Sequence, residues 1–155
     1  MKALIRVCFV VLVLVSGYGY AYGAEGWEAA LKVSVPSAYN RLSFGQKADA
    51  TDGIDGAYDV PAMLNGDIKA SFLLKDGSYW RDIKAVASGE VKKWRIRVES
   101  GLAGTVITLS WNPASLPAGV ALTDMATATV IEMKSVGTYS YNNDGAREFL
   151  IEVAS

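Results

Sequence analysis

The chain has 155 residues, of which 15 are Lys or Arg and 16 are Asp or Glu, so its formal net charge is −1. This balance argues against a nucleic-acid partner, which would need a basic surface. The chain contains no histidine, and this excludes His-dependent nucleophilic catalysis, His general bases and His-ligated zinc or haem.

The start of the chain has the pattern of a secretory signal peptide. Lys2 and Arg6 provide a basic beginning, and an apolar run at 7–15 precedes a stretch of small residues. This combination is typical of export signals. An uncleaved membrane anchor is the alternative, but the run is shorter than the ~20 apolar residues of a membrane span, and no later segment reaches that length. We therefore expect a signal peptide at 1–23 and a single domain at 24–155.

The predicted cleavage site sets where the mature protein begins and which cysteines it keeps. Cleavage after Gly23 and cleavage after Ala21 both place small residues where export signals require them. Either event removes Cys8, the only cysteine, so the mature domain would have no disulfide and no thiol nucleophile. A domain of this size can be held together by its core alone. We expect a secreted protein, located in the periplasm or at the cell surface.

Downstream of the leader, apolar and polar residues alternate with the period of β-strands, and no helical period is sustained. An aspartate- and glycine-rich connection without periodicity occupies 46–66. Strands are predicted at 28–35, 40–45, 67–74, 79–86, twice within 91–111, and at 120–123, 127–133, 139–141 and 147–153. Short strands separated by Gly, Pro, Asn and Asp turns favour an all-β, antiparallel sandwich of about 8–10 strands, with a barrel as the alternative.

Two hairpins are predicted in the second half of the chain. The first spans 91–111, where glycines bracket a turn and two alternating strands bury Trp94, Ile96, Val98, Ile107, Leu109 and Trp111. Its two tryptophans would anchor the core. The second hairpin joins 139–141 to 147–153 through an Asn-Asn-Asp-Gly turn, and its last strand would bury Phe149, Ile151 and Val153.

Several short motifs, taken in order, resemble a known group of domains. They are Phe44-Gly45, Ala50–Asp55, Tyr58–Pro61, Asp82–Lys84, Trp94-x-Ile96-x-Val98, Leu109-Ser110-Trp111, Tyr139-x-Tyr141 and Phe149-x-Ile151-x-Val153. Together they are similar to the immunoglobulin-like β-sandwich modules of secreted and surface-anchored bacterial proteins. This resemblance implies an immunoglobulin-like fold in an exported, non-catalytic setting, and it transfers no catalytic residues.

The segment from Asp49 to Asp59 is a candidate metal site. Its carboxylates, Asp49, Asp52, Asp55 and Asp59, are the oxygen ligands that calcium prefers. The EF-hand pattern fails because Thr51 and Gly53 stand where ligands would be expected. The alternative, which we favour, is a series of turns in which the aspartates accept hydrogen bonds from their own backbone. Calcium is the only cofactor that the sequence suggests.

Aromatic and basic side chains suggest a ligand-binding surface. Tyr79 and Trp80 are adjacent on a predicted strand, so one of them should be exposed and could bind a sugar ring, although packing in the core is the favoured interpretation. Lys93, Arg95 and Arg97 form a row on one strand face. They could bind an acidic partner or an anionic polysaccharide; as a solvated face they would pair with Glu148 or Glu152.

These observations favour an exported interaction or structural module without enzymatic activity. It would bind a protein partner, or assemble with itself, through loops and edge strands. The alternative function is a carbohydrate-binding module supported by calcium. No sequence pattern indicates a nucleic-acid partner or a membrane span in the mature chain.

Overall fold

The computed structural model describes residues 26–86 and 90–153, so the predicted signal peptide at 1–23 lies outside the described residues. Eleven strands form in this part of the chain: β1 (Trp27–Val35), β2 (Ala38–Lys47), β3 (Val60–Pro61), β4 (Ile68–Leu74), β5 (Gly77–Ala85), β6 (Lys92–Ser100), β7 (Val106–Trp111), β8 (Val120–Asp124), β9 (Thr129–Glu132), β10 (Thr138–Asn142) and β11 (Arg147–Val153). A short 3₁₀ turn, η1 (Pro113–Ser115), follows β7. The predicted all-β class is confirmed. None of the described segments is a helix of the length and apolar character needed to cross a bilayer.

The inner faces of the main strands are those that the alternation predicts. Trp94, Ile96 and Val98 of β6 are fully buried, whereas the residues between them are exposed. The predicted inner residues of β1, β7 and β11 are buried in the same way. Complete burial of each such apolar side chain contributes roughly 1.5–3 kcal/mol to folding, so the alternation largely determines which face of each strand turns inward.

All the strands belong to one sheet, with the order β10-β7-β1-β2-β5-β4-β6-β11-β8-β9 and with β3 attached to β5. Every neighbouring pair is antiparallel except β2 and β5, which run parallel from Ser43 opposite Arg81 to Lys47 opposite Ala85. The prediction of a purely antiparallel fold is therefore wrong for this pair. A parallel pair needs a long connection, and the segment from 48 to 76, which contains β3 and β4, supplies it.

The sheet curls until it is nearly closed into a barrel. The strand at one end of this order, β10, contacts β8 and β11 near the other end through side chains. The Tyr139 hydroxyl donates to Asp124 Oδ2 of β8 at 2.7 Å, and the Tyr139 ring packs on Phe149 of β11. Arg147 Nη1 donates to the same buried carboxylate at 3.1 Å. Across the interior, Trp27 and Phe44 pack against Trp94 with ring centroids 5.9 and 5.5 Å apart. One continuous apolar core therefore fills the curled sheet.

Both hairpins predicted in the second half of the chain are wrong, although their strands exist. β6 pairs with β4 and β11, whereas β7 pairs with β1 and β10. The connection at 101–105 crosses from one half of the sheet to the other, and Gly104 adopts a φ of 72° there, which a side chain would disfavour. Likewise β10 pairs with β7, and β11 pairs with β6 and β8. In both cases two consecutive strands thus belong to different parts of the sheet.

Candidate ligand-binding groove

A groove of about 720 Å³ lies on the outer face of the sheet, where β1, β2 and β7 run side by side. The side chain of Ala30 on β1 is too small to fill the centre of this face. The turn η1 and the preceding residue form one side, with Asn112 and Ser115, and β2 forms the other, with Tyr39 and Arg41. A small residue between larger neighbours therefore creates the depression. This surface is called the groove below.

Lys32 and Arg41 lie directly opposite each other in the groove. They are register partners in the antiparallel β1–β2 pair, and Ser110 of β7 is opposite Lys32 on the other side. The hairpin turn between the two strands, at Pro36 and Ser37, sets this register. The arrangement, called the cation pair below, places two like charges side by side, which costs stability in a sheet.

The cation pair is distinctive because carboxylates neutralise most other cations of the structure. Among the described residues, neither Lys32 nor Arg41 has a carboxylate within 4.0 Å. The remaining described arginines all do: Arg81, Arg95, Arg97 and Arg147. The groove therefore presents two adjacent positively charged residues that no carboxylate of the described residues neutralises.

Tyr39 adds an aromatic surface beside the cation pair. Its side chain is 63% exposed, and it is the only exposed aromatic residue in the described part of the chain. The ammonium of Lys32 lies 4.8 Å from the centroid of the Tyr39 ring, a distance at which a cation is attracted to the ring. The tyrosine therefore attracts the lysine side chain and presents an apolar ring next to the charge.

Glu28 is the acidic residue that lines the groove, and its charge is already compensated. Arg81 donates from Nε and Nη2 to its two carboxylate oxygens, both at 2.8 Å, and Lys47 lies 3.6 Å away. The hydrogen bonds from Arg81 lower the pKa of Glu28 below its ordinary value. Glu28 is four residues from Lys32 along β1, so this compensated cluster is at the far end of the groove.

The basic row predicted from the sequence lies on the outer face of β6, and glutamates neutralise it. This row, called the β6 row below, consists of Lys93, Arg95 and Arg97. Lys93 pairs with Glu152 at 2.8 Å, and Arg95 Nε donates to Glu148 at 2.8 Å. Arg97 pairs with Glu99. The predicted pairing with Glu148 and Glu152 is present for Arg95 and Lys93; ligand binding by Lys93, Arg95 and Arg97 stays a prediction.

Tyr79 and Trp80 are not brought into the groove. Tyr79 is buried, and its hydroxyl donates to Asp76 Oδ1 at 3.2 Å. Trp80 is half-buried and packs against the edge of the core, and its buried indole nitrogen has no hydrogen-bond partner among the described residues. The core interpretation of both residues agrees with these positions. Their role in ligand binding stays a prediction.

The four aspartates of the 46–66 connection bind its backbone and a lysine. Asp55 accepts from the amides of Thr51 and Ala57, and Asp59 accepts from those of Asp55 and Ile83. The hydroxyl of Tyr58 lowers the pKa of Asp49. The carboxylate of Asp52 accepts from the buried ammonium of Lys92 at 2.6 and 2.8 Å. Asp55 thus makes the kind of turn that the sequence favours, through the amide of Ala57 two residues on, whereas Asp59 ties the connection to β5 through the amide of Ile83.

The structure does not bring these aspartates together as metal ligands. Within 26–86 and 90–153, no three His, Cys, Asp or Glu side chains are grouped so that they could hold a metal ion. Calcium binding by Asp49, Asp52, Asp55 and Asp59 stays a prediction.

The sequence analysis does not identify the groove residues as a site, although the spacing of Lys32 and Arg41 about a turn could have indicated them. Lys32 and Arg41 are nine residues apart and belong to different strands, so neither stands in a conspicuous run. Counting outward from the Pro36-Ser37 turn places them opposite each other. Comparison of the chain with protein-family models, with curated proteins and with solved structures found no match.

Proposed function

We propose that this protein is a non-catalytic, exported binding module and that the groove binds an anionic ligand. The cation pair is the observation that carries the proposal. Two like charges directly opposite each other weaken a sheet, and a bound anion would convert this repulsion into two charge-assisted hydrogen bonds. The lack of histidine in the chain supports a binding role rather than an acid–base one.

The fold supports such a role mechanically. The outer face that carries the groove is backed by the buried side chains Leu31, Leu42 and Trp111, so its geometry is fixed by the core. Two halves of the sheet face each other across that core. This arrangement is compatible with the resemblance to immunoglobulin-like sandwich modules, which we retain as a proposal.

Binding of a short anionic probe tests the proposed function. Isothermal titration of the purified protein with triglutamate at low ionic strength should give saturable binding that weakens as salt screens the charges. The double variant Lys32→Gln/Arg41→Gln should weaken it at least tenfold, since the loss of even one charged hydrogen bond is worth roughly 1.5–3 kcal/mol. The control is Lys93→Gln/Arg95→Gln, which removes the same charge from the β6 row.

Two results would contradict the proposed function. One is that none of three anionic probes binds at low salt. These probes are triglutamate, trigalacturonate and a galactose trimer with one sulfate per residue. The other is an equal loss of affinity in the groove variant and in the β6-row control, because it would reveal a general charge effect.

Assembly through a sheet edge is a second candidate function, and β9 favours it. Among the strands of 26–86 and 90–153 it pairs only with β8, and its Val130 is 67% exposed. Exposed strand edges readily pair with further strands. Sedimentation velocity should then show self-association that Val130→Lys reduces. A monomer at every concentration would rule out assembly with itself.

A further inference from the structure

The groove combines charge with a ring surface, and this combination narrows the class of ligand. Tyr39 stands at its edge with an exposed ring, and the Lys32 ammonium occupies one side of that ring. Flat aromatic rings offer a rigid apolar surface with little conformational entropy to lose on binding. The apolar face of a sugar ring is a matching surface, whereas an acidic peptide side chain brings a charge but no ring.

The spacing of the ring and the charges fits a sugar that carries its own carboxylate. Tyr39 is opposite Ser34, and the cation pair forms the next row of the same face. Rows on one face of a strand are about 6.6 Å apart. In a uronic acid the carboxylate is bonded directly to a ring carbon, so its apolar face and its charge are separated by less than one sugar width. The planar carboxylate also suits the forked donors of a guanidinium.

The remaining surface of the groove suits sugar hydroxyls. Ser110, Asn112 and Ser115 form its polar side, and Ala30 leaves its centre open. Its volume of about 720 Å³ lies within the range of small-molecule sites. Glu28 would repel an anion, but Arg81 and Lys47 compensate its charge.

We propose that the groove binds acidic polysaccharide through its uronic acid residues, with the carboxylate between Lys32 and Arg41 and the sugar ring on Tyr39. This inference rests on the proposed function and specifies its ligand. It requires both the charge and the ring of the same sugar residue.

Titration of the purified protein with matched trimers tests the inference. Trigalacturonate should bind at least tenfold more tightly than triglutamate, which has a similar charge and no sugar ring. The methyl ester of trigalacturonate, which keeps the ring and loses the charge, should bind at least tenfold more weakly than the acid. A galactose trimer with one sulfate per residue should also bind more weakly than trigalacturonate.

Variants of Tyr39 separate the ring contact from the charge contact. Tyr39→Ala should remove most of the preference for trigalacturonate over triglutamate, and Tyr39→Phe should keep it. Lys32→Gln/Arg41→Gln should weaken the binding of both ligands. All three residues are exposed, so the variants should stay folded, with melting temperatures close to that of the wild type apart from the small gain expected when the repulsion of the cation pair is removed, and a melting curve checks this.

The outcomes distinguish the inference from the proposed function. Equal affinities for triglutamate and trigalacturonate, or no effect of Tyr39→Ala, would overturn the sugar assignment and leave an anion-binding groove. A sulfated trimer that binds as tightly as trigalacturonate would overturn the assignment to uronic acid. If none of the three probes binds (trigalacturonate, the sulfated trimer and triglutamate), the proposed function fails as well.

Discussion

The β6 row and the cation pair are both basic surfaces of one sheet, yet their surroundings differ. Across from the β6 row, β11 supplies Glu148 and Glu152, and the cations have partners. Across from Lys32, the neighbouring strands supply Arg41 and Ser110. The conspicuous run of basic residues is thus electrostatically satisfied, and the inconspicuous pair is not.

This contrast between the β6 row and the cation pair shows that a binding surface of a β-protein is recognised by the residues on neighbouring strands. The charge of a strand face depends on cross-strand neighbours, which can be distant in the sequence. A basic run in one strand is therefore weak support for an anionic ligand until the residues opposite it are known. Two like charges directly opposite each other indicate an anionic ligand more strongly, because their repulsion destabilises the sheet and no neighbouring carboxylate of the described residues offsets it.

Adding a carboxylate to the groove should make it resemble the β6 row, and of the single substitutions that test this comparison it should have the largest effect. Ser43 lies on the same face of β2 as Arg41, two residues along the strand. Ser43→Glu should pair with the arginine and weaken the binding of trigalacturonate about tenfold or more, a loss of about 1.4 kcal/mol. Titration calorimetry measures the change.

The control for this variant is Thr129→Glu, which makes the same charge change on β9. Affinity that falls equally in both variants would mean that net charge, rather than a local ion pair, governs binding.

Glu28 is the compensated charge inside the groove itself, and its removal should cost about 1 kcal/mol at neutral pH, the upper end for partly exposed pairs. The pKa of Glu28 is lowered in the folded state by Arg81. Its contribution to stability is therefore fully present above its ordinary pKa of 4.5 and is lost as the pH falls through the lower, folded value. Urea unfolding of wild type and Glu28→Gln from pH 7 to pH 3 should show a difference that disappears in acid. A difference that stays constant with pH would contradict this account.

Removing Glu148 from the β6 row should leave Arg95 without its partner, whereas Arg97 keeps Glu99. Glu148 accepts from Arg95 and lies 3.9 Å from Arg97. Because both arginines are largely exposed, Glu148→Gln should lower the free energy of unfolding by only about 0.5 kcal/mol. Urea titration at low salt measures it.

Glu132→Gln on the exposed strand β9 serves as the comparison for this loss. An effect of the same size there would mean that the ion pairs of the β6 row contribute nothing specific.

Breaking the cation pair should stabilise the protein slightly, and this is the smallest effect. Arg41→Gln relieves the repulsion with Lys32 and should raise the free energy of unfolding by a few tenths of a kcal/mol. Chemical unfolding at low salt is the measurement, and Lys75→Gln in a turn is the control for net charge. A loss of stability in Arg41→Gln would mean that the arginine has a structural role.

The sequence predicted the faces of the strands well and the partners of β6, β7, β10 and β11 poorly. Alternation is local, so the inward orientation of Trp94 or Phe149 follows from the neighbouring residues alone. Which strands pair depends on the path of the whole chain. The short connection at 101–105 has the glycines of a hairpin turn, yet it crosses between halves of the sheet. The parallel pairing of β2 with β5 has no local signal at all.

The candidate site shows the same limit. The outward orientation of Lys32 follows from alternation in β1, and Tyr39 is visible as an aromatic residue near a turn. What could not be predicted is that no carboxylate of the described residues lies near Lys32 and Arg41, since this requires knowing that β7, with its serine, lies on the other side of β1.

The parallel alignment of β2 with β5 has a consequence for how the chain reaches its native state. Their contacts join residues 43–47 to residues 81–85, so this ladder forms only after a long intervening segment has been gathered. Such non-local topologies fold in milliseconds to seconds rather than microseconds. During that interval the central strands expose unpaired edges, and a slow step in refolding kinetics should report their closure.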